Sequence, residues 1–121
     1  DYLEAFCRWV CGLEEYFDMP VGTYSAGMKG RFSFALLLAL DFDIYLIDEG
    51  MPGTTDVEFN RKAGMILRER LKTGTVVIVS HQAETLEKFC KTAAVLKNGT
   101  LHMFETLEEA KELYDYEAQS A

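Results

Sequence analysis

Two short apolar runs, each stopping at a pair of polar residues able to do chemistry, constrain the fold of this chain more than any other feature. Ile44-Tyr45-Leu46-Ile47 closes on Asp48-Glu49, and Thr75-Val76-Val77-Ile78-Val79 closes on Ser80-His81. The second run is β-branched and does not alternate with polar residues, the pattern of a buried parallel strand. Between the two runs, Asp56 to Lys72 is amphipathic. Phe59, Ala63, Ile66, Leu67 and Leu71 share one helical face, and Arg61, Lys62, Arg68, Glu69 and Arg70 cover the other. Gly74 is expected to cap that helix. Gly50-Met51-Pro52-Gly53 reads as a loop, because proline and glycine stop a continuing strand.

The flanking segments complete an α/β pattern. Leu3, Phe6, Cys7, Val10, Leu13 and Phe17 recur at helical spacing, which predicts a helix ending near Asp18-Met19-Pro20. Val21-Gly22-Thr23-Tyr24 is a connector. Ser25 stands as an N-cap before a helix from about Ala26 to Leu40, whose second half is apolar all round, as in a helix buried on most sides. After His81 the sequence predicts a helix to Cys90 and a strand from Ala93 to Leu96. Asn98-Gly99 then turns a hairpin back through Leu101 to Phe104. Thr106 and Glu109 have capping-box spacing for a last helix reaching about Tyr114, with a loose tail after Glu117. The order helix, helix, strand, helix, strand, helix, hairpin, helix favours an α/β sheet with flanking helices.

At 121 residues the chain is one domain or part of one. A net charge of −8 argues against non-specific binding of nucleic acid, whose phosphates reward a basic face. It leaves open a locally positive site for a small anion. Cys7, Cys11 and Cys90 lack the spacing of a disulfide framework and read as buried thiols of a reducing compartment. The longest apolar run, Phe32 to Leu40, is far short of the roughly 20 residues that cross a bilayer, so no direct membrane insertion is expected. Asp1 opens in the middle of an amphipathic pattern without a methionine, which suggests a cut end.

Three features could carry chemistry, and each has an ordinary reading. Asp48-Glu49 at the tip of a strand could hold hydrated magnesium and orient an attacking water, or merely solvate a loop. Ser80-His81 at the tip of the next strand could bond a phosphate oxygen, or be structural. In Tyr24-Ser25-Ala26-Gly27-Met28-Lys29-Gly30-Arg31, small residues at a helix start leave N–H groups open to an anion, or serve only as a cap and a packing contact.

Taken together the three are far more specific. Ser25-Ala26-Gly27-Met28, then Arg31, an apolar helix and Ile44-Tyr45-Leu46-Ile47-Asp48-Glu49 resemble the signature-to-Walker-B segment of ABC ATPases in spacing. Asp56 falls where their D-loop aspartate would be, and Val76-Val77-Ile78-Val79-Ser80-His81 resembles their switch-histidine strand. A finer likeness is to the ATP-binding subunits of capsular polysaccharide exporters, with O-antigen and teichoic-acid exporters as cousins. It rests on Tyr16-Phe17-Asp18-Met19-Pro20, Thr23 to Met28, Phe42 to Glu49, Leu86 to Cys90 and Val95 to Gly99.

The resemblance implies the C-terminal part of a P-loop NTPase domain of ABC type. Residues 1–41 would be part of the helical subdomain, and 42–121 part of the RecA-like core. Two such subunits pack head to tail with ATP between them. Ser25, Ala26, Gly27 and Met28 would then meet a nucleotide held by the partner. Asp48 would hold magnesium through water, Glu49 would be the general base, His81 would bond the γ-phosphate and Asp56 would link the two sites. The other expected partner is a membrane permease, which places the subunit at the cytoplasmic face of a bacterial inner membrane.

There are departures from the family pattern. Ala26 replaces a signature glycine, Met28 cannot make the polar contact of glutamine, and the D-loop segment from Gly50 to Asp56 is one residue longer than the common form, which weakens the placement of Asp56. No Gly-x-x-x-x-Gly-Lys-Ser/Thr occurs within these 121 residues. The chain alone is therefore expected to hydrolyse no ATP. Without the Walker A strand, unpaired sheet edges are expected to make it marginally stable or prone to associate. The competing reading is a non-catalytic interaction module. The presence of Asp48, Glu49 and His81 together argues against it.

Overall fold

The computed structural model describes residues 1–49 and 55–120, with side chains through Asp115. The expected loop at Gly50-Met51-Pro52-Gly53 lies outside the described residues. The chain divides into two compact units, Asp1–Val77 and Ile78–Ala121.

The first unit holds α1 (Tyr2–Cys11), two short 3-10 turns (Glu14–Asp18 and Val21–Thr23), α2 (Ala26–Ala39), β1 (Ile44–Asp48), α3 (Val57–Arg70) and the start of β2 (Thr75–Val79). Asp1 caps α1 by accepting the Leu3 N–H at 3.1 Å. The helix stops at Cys11, well before the expected Asp18. Gly12 takes the left-handed conformation at φ 55, and its N–H bonds back to the Arg8 carbonyl. Leu13 and Phe17 keep their inward positions because the chain turns as a 3-10 helix instead of continuing straight. That turn is held down by Arg8, whose guanidinium bonds both oxygens of Asp18, at 2.6 and 3.1 Å, and lies 4.3 Å from the centre of the Phe17 ring.

The helices α1, α2 and α3 pack on one another. Cys7, Val10, Cys11, Phe34, Ala35, Leu38, Phe59, Ala63 and Leu67 form their buried faces. Phe34 meets Phe59 edge to face across α2 and α3. Lys62 of α3 donates to the Trp9 carbonyl at 2.9 Å and sits over the Trp9 ring, tying α3 to α1. At the far end of α2, Arg70 donates from Nε and Nη2 to the Leu38 carbonyl, satisfying an acceptor that the helix end leaves open.

β1 pairs with β2 in a two-stranded parallel sheet. Tyr45 and Ile47 point into the core, whereas Ile44 and Leu46 are 60% and 74% exposed. Val77 and Val79 of β2 are likewise open, although their non-alternating run predicts cover on both sides. Among the described residues, packing covers one face of this sheet, so the strands alternate in burial even though their sequence does not. Gly74 differs too. It is no left-handed cap, since α3 ends in the right-handed residue Leu71; it is small because the chain passes close to Phe42 there.

In the second unit, α4 (Ala83–Phe89) leads to β3 (Ala93–Lys97) and β4 (Thr100–Phe104), an antiparallel hairpin. Ala93 pairs with Phe104 and Lys97 with Thr100. Asn98 and Gly99 both have positive φ, 49 and 75, as a two-residue hairpin turn demands. Then α5 (Leu107–Ser120) packs on β3 and β4. It runs past the expected end near Tyr114 because no glycine or proline interrupts Asp115 to Ser120. Lys111 of α5 pairs with Glu87 of α4. No described helix is long and apolar enough to cross a membrane.

The three cysteines are free thiols, with Cys7 and Cys11 buried and Cys90 half-buried. Burial pushes the pKa of each thiol upward, which disfavours the thiolate form.

Candidate functional site

The turn that opens α2 is built from Ser25. Its backbone is extended, at φ −63 and ψ 165, and its Oγ accepts the Met28 N–H at 3.2 Å. Ser25, Ala26 and Gly27 are exposed, and Met28 is half-buried. The turn is anchored from behind by Tyr24, which is 5% exposed and donates its hydroxyl to the Phe17 carbonyl at 2.9 Å. Phe32 packs edge-on against both Tyr24 and Phe17. A packed aromatic base thus presents a small-residue turn to the surface. Apart from its chain neighbours and its own helix backbone, a β-carbon added to Gly27 would meet no described atom within 4 Å, so no packing contact with the rest of the described chain requires a glycine there.

β1 places the acidic pair. Tyr45 anchors the strand from its start, donating to the Leu40 carbonyl at 3.0 Å and accepting the Phe42 N–H at 3.1 Å. Asp48 is the last residue of the strand and is exposed. Glu49 follows, exposed, with φ at 51. A left-handed glutamate costs on the order of 1 kcal/mol, and such conformations cluster at functional sites. Asp48 offers one open carboxylate, which fits the few protein ligands magnesium takes while keeping its waters. Among the described residues no group of three or more His, Cys, Asp or Glu is placed to hold a metal ion.

Asp56 caps α3, its Oδ1 accepting the Phe59 N–H at 2.9 Å. Its Oδ2 accepts from Arg31 Nη1 of α2 at 2.7 Å. The segment on which Asp56 sits is therefore bonded directly to the helix that Ser25 begins. The spacing of Arg31 behind Ser25 contributes to the family likeness, but its bond to Asp56, 25 residues away, has no signature in local sequence.

His81 belongs to the second unit, exposed just beyond the end of β2. Ser80 Oγ accepts the Gln82 N–H at 3.0 Å, closing the turn that leads into α4. Of the candidate residues, Ser25, Ala26, Gly27, Met28, Asp48, Glu49 and Asp56 are carried by the first unit, and His81 by the second.

The fold is that of part of an ABC-type ATPase domain. The described elements superpose on the archaeal ribosome recycling factor aABCE1, in its complex with the ribosomal stalk protein aP1, with a TM-score of 0.69 at 19% identity. The match covers 97% of this chain and 24% of that one. A structure of RNase-L Inhibitor matches with a TM-score of 0.65 at 20% identity, over 94% of this chain and 23% of that one. No protein-family model matches the chain.

By sequence the chain is similar to ABC ATP-binding subunits, among them those of capsular polysaccharide exporters. It is 38% identical over 115 residues to the ATP-binding protein BexA of Haemophilus influenzae, covering 95% of this chain and 52% of BexA. It is 39% identical over 115 residues to the capsule polysaccharide export ATP-binding protein CtrD of Neisseria meningitidis, covering 95% and 53%. The teichoic acids export ATP-binding protein TagH of Staphylococcus epidermidis is 34% identical over 107 residues, covering 88% and 39%. The chain spans about half the length of the capsule-export relatives it matches.

Proposed function

We propose that this chain supplies the signature and Walker B side of ATP hydrolysis in a subunit that powers export of a capsular or other cell-surface polysaccharide. One observation carries the reading. Ser25, Ala26 and Gly27 stand exposed on a braced helix start, with a glycine that no packing contact with the rest of the described chain requires. A helix start with open N–H groups and no side chain in the way suits the close approach of a phosphate.

In this reading the turn from Ser25 to Met28 meets the γ-phosphate of a nucleotide held by a second ATPase subunit. Ser25 Oγ can accept from Met28 and still donate its own proton to a phosphate oxygen. Glu49 accepts a proton from the attacking water, and Asp48 would hold a hydrated magnesium ion, which would supply neutralising charge at the phosphates. His81 donates a hydrogen bond to the γ-phosphate as charge develops. Asp56 joins the two sites of a head-to-tail dimer. The helical part, residues 1–41, and the core part, 42–121, would form one such domain. It would dock on a membrane permease at the cytoplasmic face of the bacterial inner membrane.

A mixing experiment tests this. The 121-residue chain alone is expected to show no magnesium-dependent ATP hydrolysis, because it contains no Walker A loop. Adding a separately purified polypeptide that carries a Walker A loop of the ABC type is expected to produce hydrolysis, abolished by Glu49→Gln. A mixture that associates but never hydrolyses ATP would favour a non-catalytic interaction module. Turnover by the chain alone, sensitive to the same substitution, would overturn the half-site reading.

A further inference from the structure

Arg31 stands apart from the residues given roles above. It lies on α2, six positions beyond Ser25, with its side chain only 18% exposed. Its partner is Asp56, and the Asp56 carboxylate is divided between two helices. One oxygen caps α3 through the Phe59 N–H at 2.9 Å, and the other takes the Arg31 guanidinium at 2.7 Å. A short, partly buried, charge-assisted bond is among the stronger and more directional polar contacts in a protein. α3 cannot shift its first turn along α2 without breaking it. Phe34 against Phe59 packs the same two helices together near this bond, so a displacement is resisted by shape as well as by charge.

We propose that Arg31 is a positioning residue that locks Asp56 to the helix carrying the Ser25–Met28 turn, so that displacement of either segment is transmitted to the other. The proposal rests on the reading of those two segments as parts of a nucleotide site. With it, contact of a phosphate at Ser25 and contact of Asp56 with a partner subunit become mechanically linked events within one protomer. Arg31 touches neither nucleotide nor partner in this scheme; it acts through Asp56.

The test uses the 121-residue chain and needs no nucleotide, so its outcome is separate from the outcome of the mixing experiment. Amide resonances and amide exchange are followed by NMR in wild type, Asp56→Asn, Arg31→Lys, Arg31→Met and the double variant D56N/R31M. Asp56→Asn is expected to move the amide resonances of Ala26 to Lys29. Arg31→Met should move them in the same direction, the double variant no further, and Arg31→Lys by less. Exchange at the Phe59 amide is expected to quicken about tenfold more than at Ala63 to Leu67, the signature of a local opening. If Asp56→Asn leaves Ala26 to Lys29 unmoved, or if all amides of α3 quicken equally, Arg31 is only a structural residue and the proposal fails. Should Arg31→Met not fold, Arg31→Lys and Asp56→Asn decide the question by the same criteria.

Discussion

A β-carbon on Gly74 would stand 2.9 Å from the backbone carbonyl oxygen of Phe42 and 3.3 Å from the ring of Tyr45. Neither neighbour is free to yield. Phe42 is held by the bond of its N–H to Tyr45, and Thr75 donates to the Asp43 carbonyl at 2.8 Å on the adjoining backbone. Gly74→Ala is therefore expected to destabilise the chain by about 1–3 kcal/mol, the usual cost of forcing extra volume into a packed site. Urea unfolding measures it. An unchanged midpoint would mean that the strand junction has slack these distances deny.

The hydroxyl of Tyr24 supports the turn ahead of α2 from a nearly buried position. Tyr24→Phe keeps the ring contact with Phe32 but leaves the Phe17 carbonyl short of a donor. The expected loss is about 0.5–1.5 kcal/mol, with the greater effect on the amide protection of the turn itself. A variant equal to wild type in both measurements would show that the bond contributes nothing net.

Much of this architecture is legible in the sequence, and the exceptions share a cause. Ser25, Asp48, Asn98 and Gly99 are read correctly because each acts through its immediate neighbours: a cap, a strand end, a two-residue turn. Gly12 was concealed by the continuing apolar spacing of Leu13 and Phe17, which a 3-10 turn satisfies as well as an α-helix does. Gly74 looks like a helix cap in sequence, yet its reason lies across space at Phe42. The pair of Arg31 and Asp56 is of the same kind. Periodicity places each residue on its helix, but only the packing of α2 against α3 makes them meet.

Acid should loosen the exposed ion pairs. Arg61 holds Glu58 down to about 2 from an ordinary 4.5, and the Arg8 bonds likewise lower Asp18 from 3.8. Both are carboxylates with depressed folded-state pKa values. Their contribution is present above the unfolded values and is lost as pH falls through the folded ones. For Glu58 that window runs from about 4.5 down to about 2. Both pairs are solvent-exposed and salt-screened, so the loss is small. Melting temperature measured between pH 6 and 2 is expected to fall less steeply in Arg61→Met than in wild type. Parallel curves would show that the Glu58 pair contributes nothing to the acid limb.

Gly27 allows stability and the proposed function to be tested apart from one another. Apart from its chain neighbours and its own helix backbone, no described atom lies within 4 Å of where its β-carbon would be, and it sits in the first turn of α2. Alanine is the better helix former by up to about 1 kcal/mol, so Gly27→Ala is expected to leave the melting temperature unchanged or raise it. If the turn receives a phosphate, the same methyl group stands in its path. Hydrolysis in the mixture with the Walker A part should then fall by about tenfold or more, since every 1.4 kcal/mol of lost contact is a factor of ten. Ser25→Ala gives the complementary pattern: it removes the cap and costs about 1 kcal/mol, so both stability and activity decline. A Gly27→Ala variant that hydrolyses ATP at the wild-type rate would exclude close approach of a phosphate at this turn.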